Sequence, residues 1–349
     1  VQADRISYDD PSDAASTADE DGSAFTVHHG PPSARSRVIW WCTWLFVRPL
    51  FLLWPLGVLG FSLIVALSGR VDRRLTARGK SSRCTYTPAE LGGCPAEWVS
   101  PRNSPPKANR PVILYLHGGG FYFGGLGTHR PICTALALTV DADVVSVAYR
   151  QLPDGGVGTS IADAIKAYEE LTETVRPSRK IFVAGDSAGG YLTMKVGELA
   201  ARRDLQVPDG LIGFSPLLSM FPERYHVARP AKDAYLPARR VVRVRRHWLS
   251  GEVPVEGVLS PLHASDLITS PVFLTAAHNE LLAADIYEFG RELHRRGVRV
   301  EVHAWTQQLH AFPAMVYLVP EAQQAVGETA AFIRSIVDQE RQDREHYHE

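Results

Sequence analysis

Three stretches of this chain hold the residue types that acyl-transfer chemistry needs: Gly185-Asp186-Ser187-Ala188-Gly189-Gly190, His117-Gly118-Gly119-Gly120-Phe121, and a late loop, Gln307–Phe312, with His310 at its centre. Hydrolysis by a serine requires a base to take its proton, an acid to orient that base, and donors for the oxyanion. In the first stretch an apolar run, Ile181–Ala184, leads into Ser187 and a helix-like run leads out. A strand that turns sharply into a helix strains the serine backbone, and flanking glycines give the strand and helix room to approach. The Ala188 amide then lies at the positive end of a helix, where it can receive developing negative charge. The G-x-S-x-G pattern alone also fits an ordinary turn, so its partners decide the matter.

The glycine run at 118–120 follows a short apolar run, Val112–Leu116, and lets the main chain come close to a substrate. Gly119 and Gly120, with Ala188, are the expected oxyanion donors. Phosphate binding is the alternative, but no Lys-Ser/Thr follows as in a P-loop and the G-x-G-x-x-G register is absent. Of the thirteen histidines, His310 stands after the alternating run Val298–His303 and before the last helical run. That is where the base belongs in the order serine, acid, histidine. His303 is expected on a solvated strand face, and His28, His29, His346 and His348 in tails. Glu280, just beyond the apolar run Val272–Ala277, is the expected acid, with Asp285 and Asp266 as competitors.

These residues need a scaffold. Val112–Leu116, Val144–Ala148, Ile181–Ala184, Leu211–Phe214 and Val272–Thr275 read as buried strands, separated by helical runs such as Pro131–Val140 and Thr159–Thr174. Alternation of this kind predicts an α/β fold: a mainly parallel central sheet with helices on both faces. Glu321–Val337 reads as a closing helix. Residues 219–257 break the repeat with aromatics, prolines and a basic run, Arg239–Arg246, and read as a cap inserted over the site. The basic run fits a solvated helix face, with a membrane-surface contact as second choice.

The totals set the remaining bounds. With 349 residues and a formal net charge of −1, the chain has room for one large domain plus extra segments, and its charge balance points to no nucleic acid partner. The four cysteines show no paired metal spacing; Cys84 and Cys94 could close a small loop. Residues 1–36, with seven carboxylates and little apolar surface, read as a disordered acidic tail. Residues 37–69 read as a membrane anchor, because Pro49–Leu67 is nineteen residues without a charge and Trp40, Trp41 and Trp44 flank it. The arginines that follow (Arg70, Arg73, Arg74) favour a cytoplasmic catalytic part. The alternative is a buried helix pair docked on the enzyme. Residues 70–110 read as a linker or lead-in, 111–338 as the catalytic domain, and 339–349 as a polar tail.

Taken together, HGGGF at 117–121, VVSVAYR at 144–150, GDSAGG at 185–190, LSPL at 259–262 and LHAF at 309–312 resemble the hormone-sensitive-lipase branch of the α/β-hydrolase superfamily, with its arylacetamide-deacetylase-like enzymes. The resemblance covers roughly residues 110–337. It implies an α/β-hydrolase fold and a serine carboxylester hydrolase without a cofactor or catalytic metal, acting on a small acyl ester or a lipid. Ser187 matches the nucleophile, His310 the base, and Gly119, Gly120 and Ala188 the oxyanion hole. The family's acid is commonly Asp before Pro-Leu, whereas Asn279-Glu280-Leu281-Leu282 stands here; Glu can serve. A deacetylase or amidase would use identical machinery. An inactive ligand receptor of the same fold typically lacks the base, which is present here.

Overall fold

A computed structural model describes residues 25–54, 58–102, 110–221 and 233–346. Its centre is a nine-stranded sheet in the order β1-β9-β8-β7-β6-β4-β5-β3-β2. The strands are β1 (Thr26–His28), β2 (Cys84–Leu91), β3 (Cys94–Pro101), β4 (Val112–Leu116), β5 (Asp143–Val147), β6 (Ile181–Asp186), β7 (Gly210–Phe214), β8 (Val272–Ala277) and β9 (Val300–Trp305). Pairing is parallel from β1 through β5 and antiparallel only where β3 meets β5 and β2.

Strand β4 shows why the sequence folds this way. All five of its residues are apolar and buried, as a strand covered on both faces requires. Successive side chains point to opposite faces. Val112, Leu114 and Leu116 therefore join one core, with helices α5 (Val157–Val175), α6 (Ala188–Arg202) and α8 (Ala283–Arg295). Ile113 and Tyr115 join the other, with α4 (Leu126–Val140) and α9 (Pro320–His346). The last helix extends through His346, so much of the expected polar tail at 339–349 continues α9.

Three expectations change. First, the anchor: no helix among the described residues is long and apolar enough to cross a membrane, which overturns the membrane localisation and the cytoplasmic orientation built on it. The apolar stretch is divided among α1 (Ala34–Cys42), a π-helical turn (Thr43–Val47), α2 (Arg48–Leu53) and α3 (Val58–Arg78). Only Val58–Leu67 of α3 is apolar, and ten residues rise about 15 Å against a hydrocarbon core of about 30 Å. Beyond it, Arg70, Asp72, Arg73 and Arg74 make α3 a docked surface helix. The Asp72 carboxylate accepts from the Thr128 amide (2.8 Å) and hydroxyl (3.1 Å) at the start of α4, and the Ser68 hydroxyl accepts from Gly124 N at 3.3 Å.

Second, the lead-in at 70–110 contains the end of α3 and a hairpin, β2–β3, that caps the sheet. Leu91 pairs with Cys94 across the turn while Cys84 pairs with Pro101, so Cys84 lies seven residues down the strand from the turn, about 23 Å along it. A disulfide needs Cα atoms within about 7 Å. All four cysteines are free. Third, the expected tail at 1–36 contributes β1 as an edge strand beside β9, and Ser33 caps α1 by accepting from Ser36 N. That edge covers His303, which is buried rather than solvated and meets His29 Nε2 at 3.0 Å. The His29 ring itself stacks on Trp305 at 3.9 Å. Residues 1–24, and the stretch 347–349 with His348, lie outside the described residues.

Candidate active site

Ser187 sits where β6 ends and α6 begins, with φ 51° and ψ −113°, a conformation that L-residues rarely adopt. Neighbouring main chain pins it there: Ser187 N donates to Phe214 O (2.9 Å), and Ser187 O accepts from Leu217 N (3.0 Å) and Tyr191 N (3.0 Å). The turn is crowded enough to demand glycine, since a Cβ on Gly189 would stand 1.9 Å from the Leu116 carbonyl oxygen. Sequence and strain agree, and the elbow aims Ser187 Oγ at His310.

His310 Nε2 lies 2.8 Å from Ser187 Oγ, and its Nδ1 lies 2.6 Å from Glu280 Oε2. A carboxylate only accepts, so Nδ1 carries the proton toward Glu280 and Nε2 faces the serine hydroxyl as an acceptor. Glu280 follows β8 in the loop before α8, and its other oxygen accepts from Ala277 N at 3.0 Å. Both His310 and Glu280 are buried. Burial alone would disfavour a charged imidazole, but the hydrogen bond and charge of Glu280 outweigh it and hold His310 above its ordinary range. The competitors lie elsewhere: Asp285 is in the first turn of α8, and Asp266 is exposed on a 3₁₀ turn, Ser265–Leu267.

The glycine loop packs against the serine motif, where a Cβ on Gly118 would stand 2.1 Å from Asp186 Oδ2. Gly119 has φ +114°, and a Cβ there would stand 2.0 Å from the Phe123 carbonyl oxygen; Gly120 has φ +62°. Ala188 opens α6. The neighbouring residue of the serine motif holds this loop, since Asp186 Oδ1 accepts from Gly118 N (2.9 Å) and from the Tyr115 hydroxyl (2.8 Å). His129 Nε2 stands 3.4 Å from the same oxygen. Tyr149 donates to His117 O at 2.6 Å and stacks on its ring at 4.4 Å. Burial and the neighbouring His129 push His117 down to about 4, so it stays uncharged. Sequence reading marked Asp186 and Tyr149 only as motif letters; His129 and Tyr115 carried no signal of their own.

Residues 113–314 match a family described as alpha/beta hydrolase fold. The chain belongs to that family. Among its relatives, an acetyl-hydrolase of Streptomyces hygroscopicus is 29% identical over 248 residues, covering 70% of this chain and 81% of its own. The carboxylesterase/phospholipase LipF of Mycobacterium tuberculosis is 28% identical over 332 residues, covering 90% of this chain and 85% of its own. A crystal structure of an esterase from the bacterial hormone-sensitive lipase family superimposes with a TM-score of 0.74 at 21% identity, covering 88% of this chain and all of that one. The resemblance read from the α/β-hydrolase motifs therefore holds, and the fold it implied is found.

The insertion and the N-terminal helices meet beside the glycine loop. Helix α7 (Ala238–Trp248) carries the basic run. Arg239, Arg243 and Arg246 are exposed, as a solvated face requires, but Arg240 donates to Trp54 O at 2.7 Å and Arg245 to Met220 O. Phe61 of α3 stacks on His247 at 5.2 Å and meets Tyr122 of the glycine loop at 5.4 Å. Trp248 meets Phe121 edge-on at 5.6 Å. The apolar N-terminal stretch thus docks on the cap and beside the glycine loop. Residues 222–232 of the insertion lie outside the described residues.

Proposed function

We propose that Ser187, His310 and Glu280 form the catalytic triad of a serine carboxylester hydrolase, with Gly119, Gly120 and Ala188 as its oxyanion hole. The observation that carries the reading is the unbroken line from Ser187 Oγ through both nitrogens of His310 to Glu280. In this reading Ser187 Oγ attacks the ester carbonyl carbon while its proton passes to His310 Nε2. Charge on the carbonyl oxygen is met by the amides of the glycine loop and Ala188. His310 then gives the proton to the leaving alcohol, leaving an acyl-serine. Water attacks that ester, again losing a proton to His310, and the carboxylic acid departs as Ser187 recovers its hydrogen.

The array needs no cofactor for these steps. Relatives named acetyl-hydrolase, esterase and carboxylesterase support an ester substrate of small-molecule size. The cap is drawn from two distant parts of the chain, the helices before residue 79 and the insertion at 219–257, over a catalytic domain spanning 111–338. A fluorophosphonate probe followed by peptide mapping tests the reading: the adduct is expected on Ser187. Hydrolysis of a p-nitrophenyl ester series from acetate to palmitate, beside matched anilides, would then set acyl length and ester against amide. Absence of any adduct together with absence of ester turnover would overturn it.

A further inference from the structure

Among the described residues, the insertion meets the loops of Glu280 and His310 at Asp233-Ala234-Tyr235. Asp233 is buried, at 4% exposure. Its Oδ1 accepts from Tyr235 N (2.9 Å) and Leu236 N (2.8 Å), closing an Asx turn. A turn needs no more than that, yet the second oxygen reaches out of the cap and accepts from Leu281 N at 3.0 Å, one residue beyond Glu280. Two residues on, the Tyr235 hydroxyl donates to the His310 carbonyl at 2.8 Å, and its ring lies 6.1 Å from the imidazole. One tight turn therefore grips the loop of the acid and the loop of the base.

We propose that Asp233 and Tyr235 are positioning residues that fix Glu280 and His310 relative to each other from the cap. The proposal rests on the triad reading above. Glu280 and His310 come from loops thirty residues apart in sequence; β8 and β9 pair only as far as Ala277 and Trp305, so the ladder stops three residues short of Glu280 and five short of His310. His310 must hold two short bonds at once, 2.6 Å to Glu280 and 2.8 Å to Ser187, and a drift of either loop lengthens one of them. The residue after it, Ala311, is left-handed with φ 54°, so this loop is not held by a regular ladder. Tyr235 supplies the missing anchor by taking the His310 carbonyl.

The turn also connects outward. The Tyr235 ring lies 6.0 Å from Phe51 of α2, and Arg240 two residues into α7 holds Trp54 just beyond α2. Cap and N-terminal helices are thus joined to the base by one side chain. Asp233 adds charge: together with Glu280 and Asp186 it favours the protonated imidazole of His310 against burial. Those three carboxylates act on His310 through their charge, the Ser187 hydroxyl meets its Nε2, and the Tyr235 hydroxyl meets its main-chain carbonyl.

The test uses the full chain and one soluble p-nitrophenyl ester. Tyr235→Phe keeps the ring and its packing and removes one hydroxyl. It is expected to lower kcat on the order of ten- to a hundredfold, as small misplacements of catalytic groups do, with KM little changed and the melting temperature close to wild type. Asp233→Asn is expected to lower kcat and to move the acid limb of kcat/KM to lower pH, because the imidazolium loses a neighbouring negative charge. A merely structural aspartate would lower the melting temperature and leave that limb in place. Wild-type kcat in Tyr235→Phe overturns the proposal, and so does an unmoved acid limb with wild-type kcat in Asp233→Asn. If Asp233→Asn does not fold, Tyr235→Phe decides alone. His310→Ala separates the two levels: an active His310→Ala variant sinks the triad itself, whereas an inactive one beside a fully active Tyr235→Phe sinks only the brace.

Discussion

Replacing Glu280 by Gln removes one charge at a site where the structure fixes everything else. The carboxylate is 4% exposed, receives Ala277 N on one oxygen at 3.0 Å and His310 Nδ1 on the other at 2.6 Å. Glutamine fits the same space, so the fold should survive. Two things are lost. An amide no longer offsets the positive charge that appears on His310 when it takes the serine proton, and its NH2 can turn toward Nδ1 and favour the wrong tautomer. The comparable change in the serine-protease triad costs about 10⁴ in kcat, which at about 1.36 kcal/mol per decade is roughly 5.4 kcal/mol of barrier. Glu280→Gln is expected to fall in that range, with its urea midpoint near wild type. Asp285→Asn supplies the contrast. Its carboxylate is buried in the first turn of α8, where charge against the helix dipole contributes up to about 2 kcal/mol to stability, so turnover should persist while stability drops. Initial rates on p-nitrophenyl butyrate, with both variants purified alike, decide it. Full activity in Glu280→Gln, or loss of activity in Asp285→Asn alone, would refute the reasoning.

The remaining expectations follow from other parts of the site. Because Glu280 holds His310 above the ordinary imidazole range, and the base must be neutral to act, kcat/KM should fall on the acid side with an apparent pKa above about 6.5; a limb well below that value would contradict the buried pair. Gly119→Ala forces a Cβ to within 2.0 Å of the Phe123 carbonyl oxygen at φ +114°, so the glycine loop must move and kcat should drop by about 10² or more, a loss that steady-state rates on the same ester would show. Asp72→Ala removes the carboxylate that caps α4 from α3 and should cost about 1 kcal/mol in chemical denaturation; no change would argue against α3 as a docked element.

Most of the candidate site was legible because the residues that need special backbone are confined to short motifs. Ser187, Gly119 and Gly120 announce strained turns by composition alone, and the strands that carry them read as uniform apolar runs because both faces are covered. Glu280 could be placed by its position just past β8, and the 2.6 Å contact to His310 is what favours it over Asp285 in the proposed triad. What failed was the reading of apolar length without partners. Pro49–Leu67 has the composition of a bilayer segment, yet the surface it faces, from Trp54 against Arg240 to Phe61 against Tyr122, is supplied by residues well over fifty positions away. His303 was misread for a related reason: the strand beside it, β1, comes from a segment whose acidic composition hides three residues of edge pairing. Long-range partners of this kind, Asp233 and Tyr235 among them, leave no periodicity for a sequence to show.

The central claim is that one oxygen does the chemistry, and Ser187→Ala tests it most directly. The substitution removes only Oγ from an elbow whose main chain is held by Phe214, Leu217 and Tyr191, so the variant should fold as the wild type does. Measured on a p-nitrophenyl ester series, its turnover is expected to fall by several orders of magnitude toward the uncatalysed rate, with an unchanged circular dichroism spectrum and no fluorophosphonate adduct. A purified, folded Ser187→Ala protein that hydrolyses the series at the wild-type rate would contradict the account.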